Sequence, residues 1–160
     1  MKFRRAIMNT DDVKGSYQPG LQALTGKDRS RLSCNDTRKI SGSLNLDAAV
    51  AQLYLDQPRW DYGIGIERTV SADRAIWVEV HPATAGEVQA MVAKSKWLKR
   101  WLEGSAPDLK SITEKMPFIW IASGSVSLQR NSRQARQLAM TAIAFPRQHY
   151  RIETVERTPN

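Results

Sequence analysis

The sequence predicts an α/β (α+β) domain built on a mixed β-sheet with helices on its faces. Apolar residues alternate with a period of two in several short segments, and they recur at helical spacing in others. Two strand segments are joined by a short polar turn, which indicates an antiparallel hairpin. A long helix and a further strand follow, which indicates a crossover connection. The predicted order is a small β element, then α, β, β, α, β, α and β.

The elements follow from local signals along the chain. Asn45 is a good helix cap, and the proline at position 58 ends the helix that it begins. The polar stretch around Ser71 separates two strands, and Gly104 stops a long amphipathic helix. The predicted ranges are a β element from residue 31, a helix over 46–56, strands over 61–66 and 75–80, a helix over 84–103, a strand over 117–123, a helix from about 131 to 143, and an edge strand near 150–152.

The composition fits one globular domain, with 160 residues that are 41% apolar and 25% charged. No apolar run approaches the roughly 18 residues of a membrane span, so we expect no membrane partner. The single cysteine, Cys34, cannot form an internal disulfide, which favours a reducing, cytoplasmic location. Residues 1–30 hold scattered glycine, proline and charge, so we predict a poorly ordered basic segment there and a single α/β domain over 31–160.

Charge is distributed unevenly along the chain. Residues 1–40 carry nine basic and four acidic side chains, residues 41–90 carry three and seven, and residues 91–160 carry twelve and five. An acidic centre between basic flanks is compatible with a metal site framed by a phosphate-attracting surface. A solvated basic surface that serves only solubility explains the total of +8 equally well.

Asp61 and Glu79 are the residues with the clearest chemical potential. A turn centred on Ser71 would place position 61 opposite position 81, with Asp61 beside Glu79 and His81 on one face of the hairpin. Carboxylates that converge from two strands suit Mg²⁺, which takes one or two carboxylates and completes its shell with water and phosphate. The alternative is that Glu79 faces solvent or pairs with a nearby arginine, Arg59 or Arg68.

Gly63 and Gly65 do not form a phosphate-binding loop, because no third glycine and no helix follow them. Glycines inside a strand more often allow a close approach of backbone or mark a bulge. We therefore expect a packing role for both, and core positions for Trp77 and Trp120.

The run RWDYGIG, a hairpin to WVEVH, a long helix and then FIWIAS resembles the restriction-endonuclease-like PD-(D/E)XK nuclease superfamily over roughly residues 45–123. The resemblance implies that Asp61 and Glu79 hold Mg²⁺ and that Asp47 is the acidic residue of the first helix. The chain departs from the pattern in having Trp60 before Asp61 and His81 in the place of the lysine. In some members a lysine of the following helix substitutes, which here would be Lys94 or Lys96.

Basic residues on two predicted helices are candidates for contacts with nucleic acid. One group, on the long helix, comprises Lys96, Lys99 and Arg100. The other comprises Arg130, Arg133 and Arg136, which are spaced by three and would share one helical face. A merely solvated face is the alternative for both groups.

The sequence thus leaves two principal hypotheses. One is a nuclease-like enzyme acting on nucleic acid, with Asp61, Glu79, His81 and Lys94 as catalytic residues and Mg²⁺ as cofactor. The other is an inactive basic module of the same fold that binds nucleic acid or an acidic protein partner. The sequence indicates no oligomeric state.

Overall fold

The computed structural model describes residues 1–68 and 71–154 of the chain. The strands in this part of the chain form one large sheet and one small sheet. They span Tyr17–Gln18 (β1), Leu32–Cys34 (β2), Ile40–Asn45 (β3), Tyr62–Ile66 (β4), Arg74–Ala83 (β5), Thr113–Val126 (β6), Ile143–Arg147 (β7) and Tyr150–Ile152 (β8).

The α-helices lie before, between and after these strands. They span Phe3–Met8 (α1), Gly26–Arg29 (α2), Leu46–Val50 (α3), Val88–Gly104 (α4), Pro107–Ile112 (α5) and Arg133–Ala139 (α6). Across the residues described, no helix combines the length and the apolar character that crossing a bilayer requires.

The large sheet is mixed, with the strand order β1-β3-β4-β5-β6-β7. The pairs β1–β3, β3–β4 and β4–β5 are antiparallel, whereas β5–β6 and β6–β7 are parallel. The two remaining strands, β2 and β8, form a separate parallel pair. The predicted fold class, a mixed sheet with helices, is therefore confirmed.

An apolar cluster packs on each face of the large sheet. Trp77 of β5 belongs to one cluster, together with Met91 and Leu98 of α4. Its neighbours Ile76 and Val78 belong to the other. Because side chains alternate along a strand, α4 covers the face of β5 that carries Trp77 and, two residues later, Glu79.

Two glycines of β4 let aromatic rings lie directly against the strand. A Cβ at Gly63 would lie 2.7 Å from the ring of Trp77, and a Cβ at Gly65 would lie 2.3 Å from the ring of Phe3. Both distances are too short for any side chain, so the packing role predicted for these glycines is confirmed.

Residues 1–30, for which the sequence predicts poor order, are instead packed on the domain. Phe3, Ala6 and Ile7 of α1 are fully buried in the same cluster as Trp77. The backbone N–H of Phe3 donates to Asp73 Oδ2 at 2.9 Å, which fixes the start of the helix. The apolar spacing of three and four was present in the sequence, but the residues that contact Phe3 most directly, Gly65 and Asp73, lie more than sixty positions later.

Several other boundaries differ from the prediction. The helix capped by Asn45 is α3, which ends at Val50 rather than at residue 56, although the cap itself is confirmed by a 3.0 Å bond from Ala48 N. The segment expected as a polar loop contains α5, and β6 runs well beyond 117–123. The last helix, α6, stops at Ala139, so that Ile143 begins β7 instead of ending the helix.

Candidate active site

Asp61 and Glu79 meet where β4 begins beside β5. Tyr62 pairs with Val78 in the ladder, so the next position outward sets Asp61 opposite Glu79. Glu79 Oε2 accepts a hydrogen bond from Asp61 N at 2.8 Å, and Asp61 Oδ2 accepts one from Val80 N at 3.0 Å. Each carboxylate therefore binds the backbone of the opposite strand, and the two groups are held side by side.

The register of this hairpin differs by two residues from the predicted one, in which position 61 faced position 81. An error of two leaves the faces of the sheet unchanged, because the side-chain period of a strand is two. The predicted proximity of Asp61 to Glu79 therefore agrees with the structure although the register did not.

Lys94 of α4 reaches this pair of carboxylates. Its ammonium group contacts Glu79 Oε1 and donates to the carbonyl of Arg59 at 3.2 Å. Lys94 lies three residues after Met91 and four before Leu98, both fully buried, and this spacing turns it toward the sheet. Of the two lysines considered as substitutes for the one replaced by His81, the structure brings Lys94 to the site and leaves Lys96 exposed.

His81 lies on the same face of β5 as Glu79, two residues further on. Its Nδ1 is 3.9 Å from Glu79 Oε1, and its Nε2 is 2.7 Å from Glu87 Oε2. Glu87 precedes α4 and was not identified from the sequence, where it is an ordinary acidic residue near a helix start. Its contact orients the imidazole beside the carboxylates.

Arg59 and Asp47 form a second ion pair next to the site, with 2.8 Å between Arg59 Nε and Asp47 Oδ1. The backbone N–H groups of Leu46 and Asp47 donate to the carbonyl of Asp61 at 2.8 and 3.3 Å. The start of α3 is thereby tied to Asp61.

Glu79 does not pair with either of the two arginines considered as its partners. Arg59 pairs with Asp47, and Arg68 lies 3.8 Å from Glu114. Glu79 has Lys94 as its charged partner, and it is not exposed to solvent.

Burial and mutual repulsion disfavour the charged forms of both carboxylates. Only 1% of Glu79 is exposed, and burial together with the charge of Asp61 raises its pKa to about 8, against the opposing effect of Lys94. The pKa of Asp61 is also raised, mainly by burial, with the nearby charges of Asp47 and Asp28 acting in the same direction. One ammonium group therefore does not compensate the negative charge that converges here.

Asp61 and Glu79 offer carboxylate oxygens, the type of ligand that a hard divalent cation takes. In residues 1–68 and 71–154, Asp61 Oδ1 has no hydrogen-bond partner and is therefore free to bind an ion. The same part of the chain contains no group of three or more His, Cys, Asp or Glu side chains that could hold an ion, so protein ligands to it would be few. An ion here would rest on the oxygens of two carboxylates and complete its shell with water, a coordination usual for Mg²⁺.

The other basic residues of α4, apart from Lys94, lie outside this site. Lys96, Lys99 and Arg100 are exposed. Lys99 donates to the carbonyl of Thr141 at 3.3 Å, and its ammonium lies 5.3 Å from the ring centre of Phe118. These side chains are accessible to a partner but do not approach the carboxylates.

The three arginines predicted to share a helical face do not do so. Arg130 precedes α6 and stacks on Phe145, with its guanidinium carbon 4.3 Å from the ring centre. Arg133 and Arg136 are on α6, exposed and three residues apart. The predicted row is thus reduced to two residues, because Ser132 caps the helix and sets its first turn at Arg133.

No family model, no curated protein and no solved structure matches this chain.

Proposed function

We propose that this chain is a nuclease-like protein that hydrolyses phosphodiester bonds in nucleic acid, with Asp61 and Glu79 as ligands of Mg²⁺. The observation that carries the proposal is the convergence of Asp61, Glu79 and Lys94 from three separate elements, two strands and a helix. These are the groups that the PD-(D/E)XK resemblance implies, with the lysine supplied by α4 instead of position 81.

The electrostatics of the site support a cation there. Two neighbouring carboxylates, one almost fully buried, are served by one ammonium group. Burying an excess of like charge costs free energy, which binding of a divalent cation would offset. The raised pKa of Glu79 is the expected sign of such a deficit, since the proton takes the place of the missing positive charge.

In this proposal each residue of the site has a separate role in the reaction. Mg²⁺ held by Asp61 and Glu79 would neutralise charge on the scissile phosphate and lower the pKa of the attacking water. The ammonium group of Lys94 stabilises negative charge that develops on the phosphate oxygens. His81, held by Glu87, offers an imidazole that can take up a proton from water at the same face.

The test is cleavage of labelled single-stranded and double-stranded DNA and RNA with Mg²⁺ or Mn²⁺, alongside calorimetric titration of Mn²⁺. Asp61→Asn and Glu79→Gln should each abolish Mn²⁺ binding and lower cleavage by a factor of about 100 or more. Lys94→Met should lower cleavage while Mn²⁺ still binds. Glu114→Gln, which alters a carboxylate paired with Arg74 away from the site, is the matched control and should change neither.

Normal Mn²⁺ binding in both Asp61→Asn and Glu79→Gln would contradict the assignment of the ligands. Absence of cleavage by the unaltered chain on every substrate, with either metal and from pH 6 to 9, would contradict the enzymatic activity.

A second function is favoured by one observation, that both oxygens of Glu79 already accept bonds from protein groups, Asp61 N and Lys94 Nζ. In this alternative the ion pair only stabilises the fold, and the chain is an inactive basic module that binds nucleic acid or an acidic protein. It predicts nucleic-acid binding without cleavage, and no change in Mn²⁺ affinity on substitution of Asp61.

A further inference from the structure

A groove of about 890 Å³ lies between α6 and the segment that leads into α4. Its walls carry two arginines and three glutamines, and no carboxylate is among its lining residues within the described chain. Its lining includes Gly86, Gln89, Arg133, Arg136, Gln137 and Met140. We infer that this groove binds single-stranded nucleic acid and guides it toward the carboxylate site, an inference that rests on the proposed function.

Charge and hydrogen-bonding capacity favour a nucleic acid as the occupant. Arg133 and Arg136 are exposed and lie on one face of α6, where they can contact successive phosphates. The amides of Gln89 and Gln137 both donate and accept, as the edges of unpaired bases require. An acidic peptide would match the arginines in charge, but it lacks the flat base surfaces that can stack on guanidinium groups.

The shape and the apolar part of the groove favour a single strand over a duplex. The groove is concave and enclosed by two helical segments, so a strand can enter it, whereas a duplex would meet only its rim. Met140 is 87% exposed at one end and offers an apolar surface to a base. The planes of the two guanidinium groups supply further surfaces for stacking.

Gly86 keeps one wall of the groove open. A Cβ built on it would meet only Thr84 Oγ1, at 3.9 Å, so the internal packing of the protein does not require glycine there. Glycine does allow a strand to approach the backbone closely. This position therefore permits a substitution that fills the groove without disturbing the core.

Neighbouring residues at the start of α4 belong to the groove and to the candidate active site. Gly86 and Val88 line the groove, and Glu87 between them binds His81 at 2.7 Å. Ala83, at the end of β5, is four residues from Glu79, or about 13 Å along a strand. A strand a few nucleotides long would therefore span the distance between the two.

The test is fluorescence anisotropy of a labelled 15-nucleotide oligothymidine with the full-length protein in EDTA, so that no cleavage occurs. The double variant Arg133→Ala/Arg136→Ala should raise Kd about tenfold. It should also make the dependence of log K on log salt shallower by about 1.4, since each phosphate contact on a single strand contributes about 0.7. Gly86→Leu should raise Kd by a similar factor with an unchanged melting temperature.

Two comparisons make the result specific to the groove. Arg5→Ala/Lys14→Ala removes the same charge from the N-terminal region and should change Kd less than threefold. A duplex of 15 base pairs should compete at least tenfold more weakly than the single strand.

The inference is overturned if the arginine double variant behaves like Arg5→Ala/Lys14→Ala, or if Gly86→Leu binds oligothymidine normally. Binding of labelled polyglutamate in preference to oligothymidine, weakened by the same variants, would also overturn it and assign the groove to an acidic protein. Because binding is measured without metal, a failure here is separate from a failure of cleavage or of Mn²⁺ binding at Asp61.

Discussion

Two carboxylates, Asp73 just before β5 and Glu79 within β5, are almost fully buried. The exposed fraction is 2% for Asp73 and 1% for Glu79. Asp73 accepts from the ammonium group of Lys2 at 3.0 Å and from Phe3 N at 2.9 Å. Glu79 likewise has one lysine and one backbone N–H as partners. The two sites are similar in their direct partners, and they differ in what lies next to them.

The difference is the second carboxylate. Within residues 1–68 and 71–154, Lys2 has one carboxylate partner, Asp73, whereas Lys94 lies near two carboxylates, Glu79 and Asp61. One carboxylate with one ammonium group is a balanced ion pair that anchors α1. Two carboxylates with one ammonium group leave a charge that a proton or a cation must compensate. We therefore expect Asp73 to determine stability and Glu79 to determine chemistry.

Glu79 should make the stability of the protein depend strongly on pH. The folded-state pKa of about 8 lies above the ordinary value of 4.5, so the stabilisation is fully present below pH 4.5 and is lost as pH rises through 8. Each pKa unit corresponds to about 1.4 kcal/mol. Relative to Glu79→Gln, the unaltered protein should lose several kcal/mol between pH 5 and pH 9 in urea unfolding.

Added Mg²⁺ should restore much of that loss at pH 8, because it takes the place of the proton. A difference in stability between the protein and Glu79→Gln that does not change with pH would show that Glu79 stays ionised and balanced by Lys94.

Asp73 should contribute to the stability of the fold without contributing to cation binding. Asp73→Ala leaves the buried N–H of Phe3 without its acceptor, and we expect a loss of about 2–3 kcal/mol in the free energy of unfolding. Lys2 is 57% exposed, so its lost ion pair adds little. Titration of Mn²⁺ into the folded variant should give the same affinity as before, and a weakened affinity would break the separation of roles.

Gly65→Ala tests the packing of Phe3 against β4. The new methyl group would lie 2.3 Å from the ring of Phe3, which cannot move without displacing α1. We expect a loss of about 1–3 kcal/mol, as for other overpacked cores. Thermal unfolding measures it, and the combination with Phe3→Ala should recover part of the loss. Two losses that simply add would contradict the contact.

The smallest effect concerns the ion pair beside the site. Arg59→Ala removes the partner of Asp47, a pair in which both side chains are partly exposed, and should cost about 0.5–1 kcal/mol. The carbonyl of Arg59 remains for Lys94, so cleavage should fall by less than threefold. A loss as large as that of Lys94→Met would show that Arg59 itself acts on the substrate.

Features with local signals could be predicted from the sequence. The hairpin, the cap at Asn45 and the long helix depend on residues close to one another in the chain, and each was found near its predicted position. The meeting of Asp61 and Glu79 could also be predicted, since a hairpin brings its two arms together and an error of two in register preserves the faces.

Features that depend on distant contacts could not be predicted in the same way. Helical spacing puts Lys94 nearer than Lys96 to the apolar stripe of α4, but its contact with Glu79 depends on the rotation of α4 on the sheet. The contact of Glu87 with His81 depends on the same rotation and has no signal in the sequence. α1 packs on β4 only because Gly65, 62 residues after Phe3, has no side chain. The stacking of Arg130 on Phe145 likewise joins two segments with no common pattern.

The dependence of α1 on Gly65 and Asp73 also bears on the sequence of folding events. Phe3 finds its ring contact on β4 and its N–H acceptor just before β5, whereas β4 and β5 are joined by a short connection between Ile66 and Arg74. The hairpin can close with little loss of chain entropy, but the contacts that hold Phe3 exist only once it has closed. We therefore expect α1, although it precedes the hairpin in the chain, to be among the last elements to join the native structure.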